Sequence, residues 1–300
     1  MIKTGGRHLP APSLRGRAGG EATHQRNPTT LISRMRIVES QIIGKRSQET
    51  CEDGIVVTDD FVAVIDGSTS KADVRYSPDV SNGRLCMEIV SRVISERLTP
   101  DSTITDFCRL TAEAVSEYYP QKPTKADNNL MAASAVVLNV RKREVWFVGD
   151  CLCLVDGVLY EYPKPEEVVN AEKRSKYIQK LLKEGRVTVE ELRVKDIGRE
   201  SIKNELRSCC ERQNRDYAVI NGMDIPENLV HVISVADAKE IILASDGYPI
   251  LKRTLEESER ELERIIKNDP LCIDIYKATK GVMKGYKSFD DRTFVRIDLY

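Results

Sequence analysis

Histidine is nearly missing from this 300-residue chain, which holds His8, His24 and His231 and no other. Only His231 lies in patterned sequence, so a histidine-based triad or phosphohistidine chemistry has no residues to run on. It falls where a strand is expected and reads as a packed residue rather than a catalyst. The cysteines (Cys51, Cys86, Cys108, Cys151, Cys153, Cys209, Cys210 and Cys272) include no C-x-x-C pair, which removes the common zinc frameworks. Most sit inside apolar runs and read as reduced core residues of a cytoplasmic protein. No apolar run is long enough to cross a bilayer, and no signal-peptide h-region is present, so no membrane partner is expected. A net charge of −1 gives no global basic field, so nucleic acid is not expected as a partner either. With 41% hydrophobic and 31% charged residues, the composition is that of a soluble globular protein with enough chain to bury a core.

Residues 1–34 differ from the rest. Lys3, Arg7, Arg15, Arg17, Arg26 and Arg34 face a single acid, Glu21, for a net +5 that leaves −6 on the remainder. The segment has no aromatic residue and is rich in Gly and Pro, so it reads as a disordered basic tail. A start at Met35, where patterned sequence begins, is the sharper form of that reading. Residues 35–300 form the expected domain.

Within it the pattern is β-rich with inserted helices. Ile37–Ile43, Gly54–Val57 and Phe61–Ile65 read as strands, the last two joined as a hairpin. Residues 84–98 and 104–119 carry apolar residues at helical spacing and are expected to pack side by side on a sheet. Met131–Val140, Glu144–Val148, Leu152–Val155 and Val158–Tyr160 read as an antiparallel meander. Helices are expected over 166–184, 199–212, 255–267 and 270–280, and strands over Ile241–Ser245 and Thr293–Leu299. The order suggests one α+β domain, two sheets covered by helices.

Acidic residues end several of the short apolar runs. Asp53 precedes Gly-Ile-Val-Val, Asp66-Gly67 closes Phe61–Ile65, Asp246-Gly247 closes Ile241–Ser245, and Asp290 precedes the last strand. A strand ending in a carboxylate and turning on glycine presents a hard oxygen at the sheet's rim. Mg²⁺ and Mn²⁺ take such ligands, and a pair of them activates water against a phosphate ester. Asp156-Gly157 lacks this character, because strands flank it and a hairpin turn explains it.

The ordered set Glu52-Asp53, Val64-Ile-Asp66-Gly67, Ala132-Ala-Ser134-Ala-Val-Val137, Phe147-Val-Gly149-Asp150, Leu243-Ala-Ser-Asp246-Gly247 and Asp290-Asp-Arg-Thr293 resembles the metal-dependent (type 2C, or PPM) Ser/Thr protein phosphatases. The match runs from about residue 40 to the C-terminus and looks like a divergent, bacterial-type member. The resemblance implies a β-sandwich of two mostly antiparallel sheets with helix pairs on both outer faces. It implies that Asp66 bridges two Mg²⁺ or Mn²⁺ ions with the Gly67 carbonyl as a further ligand. Asp53 and Asp246 would bind one ion each, Asp290 would complete the first site, and a bridging water would attack phosphorus without a covalent intermediate. Asp150 resembles the position that, with Asp246, holds a third metal. Its alternative is a simple turn between strands 144–148 and 152–155.

Three departures stand out. Ser68 follows Gly67 where the family commonly has a histidine. Gly67-Ser-Thr-Ser70 replaces a glycine-rich continuation. The basic residue that holds phosphate is offset, with Lys45 and Arg46 nearby and Arg46 favoured by its fork geometry. Residues 163–230 correspond to the flap that shapes the substrate entrance. Their Lys173, Arg174, Lys176, Lys180 and Lys183 read either as a lip for an acidic phosphopeptide or as a solvated helix face. The expected activity is hydrolysis of phosphoserine and phosphothreonine in a phosphorylated protein substrate, in signalling. A catalytically silent regulator that binds a phosphoprotein, and a small-metabolite phosphohydrolase, are the alternatives.

Overall fold

The computed structural model describes residues 35–69, 74–124 and 130–300, so the expected basic tail over 1–34 and Ser70 lie outside the described residues. The first three strands are β1 (Met35–Ile43), β2 (Asp53–Val57) and β3 (Phe61–Gly67). Two helices follow, α1 (Asn82–Glu96) and α2 (Ile104–Ser116). Ser81 caps the first through the Arg84 N–H, and Thr103 and Asp106 form a reciprocal capping box on the second. Then come β4 (Ala133–Asn139), β5 (Glu144–Val148), β6 (Leu152–Val155) and β7 (Val158–Tyr160). A helical insert holds α3 (Pro165–Lys183), α4 (Val189–Val194), α5 (Ile197–Ser201) and α6 (Lys203–Cys210). The chain closes with β8 (His231–Ser234), β9 (Glu240–Ala244), α7 (Leu255–Asn268) and β10 (Arg292–Leu299).

These strands make two antiparallel five-stranded sheets, in the orders β1-β10-β9-β6-β7 and β2-β3-β4-β5-β8, so the α+β class and the two-sheet architecture hold. The side-chain alternation explains the layering. Val62, Val64, Val136, Leu138 and Phe147 meet Leu243, Ile241, Val295 and Ile297 between the sheets. The alternate residues Phe61, Ala63, Ile65, Val137 and Trp146 face outward and are covered by Leu85, Ile89, Val90 and Phe107 of α1 and α2. On the other outer face Ile242, Ala244 and Phe294 pack with Tyr248, Leu251 and the first residue of α7, Leu255.

Three expectations change. The four runs from 131 to 160 are not one meander, because β5 pairs within one sheet and β6 within the other. Gly149 makes that switch at φ +95°, and a Cβ there would stand 2.2 Å from Ser134 Oγ, so only glycine fits. The helix expected over 270–280 is absent. Asp269 takes the N–H groups of Ile273, Asp274, Ile275 and Tyr276 on its carboxylate, and Cys272 adopts φ +52°. A side chain that captures four consecutive donors replaces the helical ladder. The expected helix 199–212 is two short helices broken at Ile202. Asp156 and Gly157 do form the hairpin turn, both at positive φ, between Val155 and its partner Val158.

Candidate metal and phosphate site

The topology brings the acidic residues to one end of the sandwich. β2 begins at Asp53 where β3 ends at Asp66-Gly67, and the two aspartates are directly paired across the strands. Ser134 continues the row opposite Asp66 on β4. In the other sheet β9 runs out into Ser245-Asp246, and Asp290 precedes the antiparallel β10. Asp150 lies in the crossing between sheets, after β5 and before β6. Antiparallel pairing thus gathers strand ends and strand starts that are distant in sequence.

Hydroxyls from the opposite sheet hold Asp53. Ser245 Oγ and Thr293 Oγ1 donate to its Oδ2 at 2.7 and 2.8 Å. Burial, with Asp291 and Asp290 near, nevertheless pushes its pKa up to about 7. Asp66 is pushed well above the ordinary carboxylate range, first by burial and then by the charges of Asp53, Asp290 and Asp150. Asp246 is raised in the same way by burial and by Asp66, Asp150 and Asp290. Among the described residues the side chain of neither Asp66 nor Asp246 makes a hydrogen bond or an ion pair. Asp246 Oδ1 is fully buried without a partner. A buried carboxylate oxygen of this kind is normally hydrogen-bonded or bound to a metal.

The outer carboxylates carry cations of the chain's own. Lys45 Nζ lies 3.2 Å from Asp290 and 3.0 Å from Asp291, and Lys280 also pairs with Asp290. Burial opposes ionisation of Asp290, but the two lysines win and hold it down at about 2. Lys164 Nζ sits 2.6 Å from Asp150, whose other oxygen accepts from Ser134 Oγ at 2.6 Å. Burial works against the Asp150 charge, and Lys164 and Ser134 outweigh it, lowering its pKa. The adjacent acid, Asp291, faces inward and has a structural part. It accepts from the N–H groups of Lys45 and Glu52 at 2.7 and 3.2 Å, which ties the loop before β2 to the start of β10.

All five aspartates expected at the site, Asp53, Asp66, Asp150, Asp246 and Asp290, therefore meet with Gly67. A Cβ on Gly67 would stand 2.3 Å from the Gly83 carbonyl and 2.6 Å from that of Glu52, so this close backbone approach needs glycine. Arg46 does not join them. It is exposed and has no hydrogen bond or ion pair among the described residues, whereas Lys45 turns into the acidic cluster. His231 is half-buried and stacked on Tyr162 with ring centroids 3.6 Å apart. Burial lowers its pKa.

Sequence reasoning missed several neighbours and gave Glu52, named only as part of the acidic pair, no role. Glu167 on α3 brings a carboxylate oxygen within 4.8 Å of oxygens from Asp150 and Asp246. Glu52 is buried and accepts from Ser81 Oγ at 2.6 Å and from Thr69 Oγ1. Lys164, Lys280 and Arg199 line the same cleft as Asp66, Asp246 and Asp290. Lys164 just before Pro165 and Glu167 two residues after it sit at the entry to α3, a helix-start signal that places them but assigns them no role.

No protein-family model matches this chain, and no curated protein matches it. Solved structures of similar shape include the serine/threonine phosphatase PstP/Ppp of Mycobacterium tuberculosis, 16% identical, with 88% of this chain and 98% of that one covered at a TM-score of 0.43. PppA, a key regulatory component of T6SS in Pseudomonas aeruginosa, is 14% identical with 89% and 99% covered at 0.44. The PPM Ser-Thr phosphatase MsPP from Mycobacterium smegmatis, in complex with cacodylate, is 14% identical with 88% and 99% covered at 0.42. These likenesses concern the fold alone.

Proposed function

We propose that this chain is a divergent member of the metal-dependent type 2C phosphatases, hydrolysing phosphoserine and phosphothreonine in proteins. The observation that carries the reading is the pair Asp66 and Asp246, two half-buried carboxylates that repel each other and whose side chains make no hydrogen bond or ion pair among the described residues. Such a donor set, hard oxygens only, suits Mg²⁺ or Mn²⁺. Asp66, the Gly67 carbonyl, Asp53, Asp246 and Asp290 would hold two ions, and Asp150 with Asp246 and Glu167 offers a place for a third. When bound, the ions supply a water acidic enough to attack phosphorus and positive charge for the phosphoryl oxygens.

The chain's own residues do the rest. Ser245 and Thr293 fix one oxygen of Asp53, so its other oxygen keeps a set direction. Lys45 and Lys280 keep Asp290 ionised, which keeps it a ligand. Lys164 and Ser134 do the same for Asp150. The insert carrying α3 to α6 walls one side of the cleft with Lys164, Glu167 and Arg199, as a flap would. Among the described residues, no histidine lines the cleft.

A silent regulator that binds a phosphoprotein has one observation in its favour: Lys45, Lys280 and Lys164 already neutralise Asp290 and Asp150 without a metal. No lysine pairs directly with Asp66 or Asp246, and both stay well above the ordinary carboxylate range despite the attraction of Lys164, which favours catalysis. Phosphate release from a panel of phosphoserine and phosphothreonine peptides, beside small phosphorylated metabolites, with Mn²⁺ and with EDTA, tests the proposal. Metal-dependent release from peptides is expected. Release from metabolites alone would replace the protein-phosphatase reading with a metabolite phosphohydrolase.

A further inference from the structure

The cleft beside Asp66, Asp246 and Asp290 is lined by the cations Lys164, Lys280 and Arg199. Two are spoken for, Lys164 by Asp150 at 2.6 Å and Lys280 by Asp290. Arg199 differs. Its Nη1 donates to the Thr279 carbonyl at 3.0 Å and to Thr279 Oγ1 at 3.3 Å, both neutral acceptors. Among the described residues its Nε and Nη2 hydrogens have no partner, and no carboxylate pairs with it. Burial lowers its pKa ahead of the attraction of Asp290 and Asp196, the mark of a charge that its surroundings under-compensate. Arginine stays protonated regardless, so the charge remains available to an anion.

The guanidinium is held by a built device. Arg174 is fully buried, and its Nε and Nη2 reach Asp196 at 3.1 and 2.7 Å. Its Nη1 donates to the carbonyls of Leu271, Cys272 and Ala278 at 2.9, 3.3 and 3.0 Å. Asp196 in turn accepts from the Arg199 N–H at 2.8 Å and from the Gly281 N–H at 3.3 Å. One buried ion pair thus fixes both the start of α5 and the segment that carries Thr279 and Lys280. Gly198 seats α5 on α3, since a Cβ there would stand 2.4 Å from Ile178 Cδ1. A five-residue helix on the surface has little stability alone. Here it is clamped from two sides, with its arginine turned to the cleft.

We propose that Arg199 receives the phosphoryl group of the substrate, its free N–H edge taking two phosphoryl oxygens while the Arg174–Asp196 pair holds it in place. This assignment rests on the hydrolase reading above and gives the phosphate-binding part to the insert rather than to Arg46. A forked donor matches two oxygens of a phosphate monoester where a lysine offers a point charge.

The probe is inorganic phosphate, titrated calorimetrically into wild-type protein and into the Arg199→Ala and Arg199→Lys variants, with and without Mn²⁺. Turnover of p-nitrophenyl phosphate is measured beside it. Arg199 gives up only its Thr279 contacts, so both variants are expected to fold. Arg199→Ala is expected to weaken phosphate binding and raise KM about ten- to a hundredfold, with a smaller change in kcat and unchanged Mn²⁺ affinity. Arg199→Lys is expected to recover only part of the loss. Phosphate binding by Arg199→Ala equal to wild type would overturn the assignment. If wild type neither binds Mn²⁺ nor turns over, the hydrolase reading fails on its own. Loss of phosphate binding in Arg199→Ala would then still establish the anion receptor, and retention would remove it.

Discussion

Replacing Arg174 by methionine removes the ion pair that ties the helical insert to residues 269–281. The side chain is fully buried and Asp196 is nearly so, with side-chain exposures of 0% and 8%. Methionine keeps most of the volume, so the cavity term is small. What is lost is electrostatic. Removing one partner of a buried ion pair costs about 3–5 kcal/mol, because the other charge stays buried and unpaired. The carbonyls of Leu271, Cys272 and Ala278 also lose their donor, and each acceptor left dry adds about 1 kcal/mol. Local rearrangement and water entry recover some of this, so the expected loss is about 4 kcal/mol, a large share of a domain's stability. Urea unfolding followed by tryptophan fluorescence reads it, since Trp146 on β5 is fully buried in the core packed against α1 and α2. Hydrogen exchange should show α5 and residues 269–281 losing protection first, while β4 and β9 keep theirs. Arg174→Lys, which retains charge without the fork, should fall between. A loss under about 1 kcal/mol for Arg174→Met, with protection of α5 unchanged, would refute the view that this pair holds the insert to the 269–281 segment.

The remaining predictions concern the acidic end of the sandwich. In EDTA the raised Asp53 pKa means the folded state binds its proton more tightly than the unfolded state, so its stabilising contribution is full below about pH 4 and is lost as pH rises through about 7. The urea midpoint of the metal-free protein should therefore fall between pH 5 and pH 8, by at most about 4 kcal/mol in free energy, and a flat or rising profile would contradict this. Asp290 acts in the opposite sense, its contribution being lost only as pH falls from about 4 toward 2. Asp246→Asn should keep or raise the urea midpoint in EDTA while weakening Mn²⁺ binding at least tenfold in a calorimetric titration, because it removes a repelling charge that is also a ligand. Gly149→Ala should destabilise by about 2 kcal/mol or more and disturb Asp150, since its Cβ would strike Ser134, and thermal unfolding checks the first part.

The sequence makes the acidic strand ends legible because the signal is local. Asp53, Asp66, Asp246 and Asp290 each stand at the edge of a run whose apolar character is plain, and antiparallel pairing then brings like ends together. The cations were not legible in the same way. Lys45 and Arg46 are adjacent and chemically alike, and only the loop geometry set by Asp291 turns the first inward. Glu167 and Arg199 lie on helices dense in charge, where spacing does not say which charged residue faces the cleft. The 270–280 segment carries helical periodicity, yet its conformation is decided by Asp269 and by Arg174, the latter about a hundred residues away in sequence. The meander failed at Gly149 because a glycine at positive φ between two strands reads as a turn, whether the chain returns to its sheet or crosses to the other.

The most direct test of the central claim is p-nitrophenyl phosphate turnover by purified protein in Mn²⁺, in Mg²⁺ and in EDTA, with Asp66→Asn measured beside wild type. Turnover that requires the divalent ion and falls at least a hundredfold in Asp66→Asn is the predicted result. Folded wild-type protein with no turnover under any of these conditions would contradict it and leave a phosphate-binding, non-catalytic protein in its place.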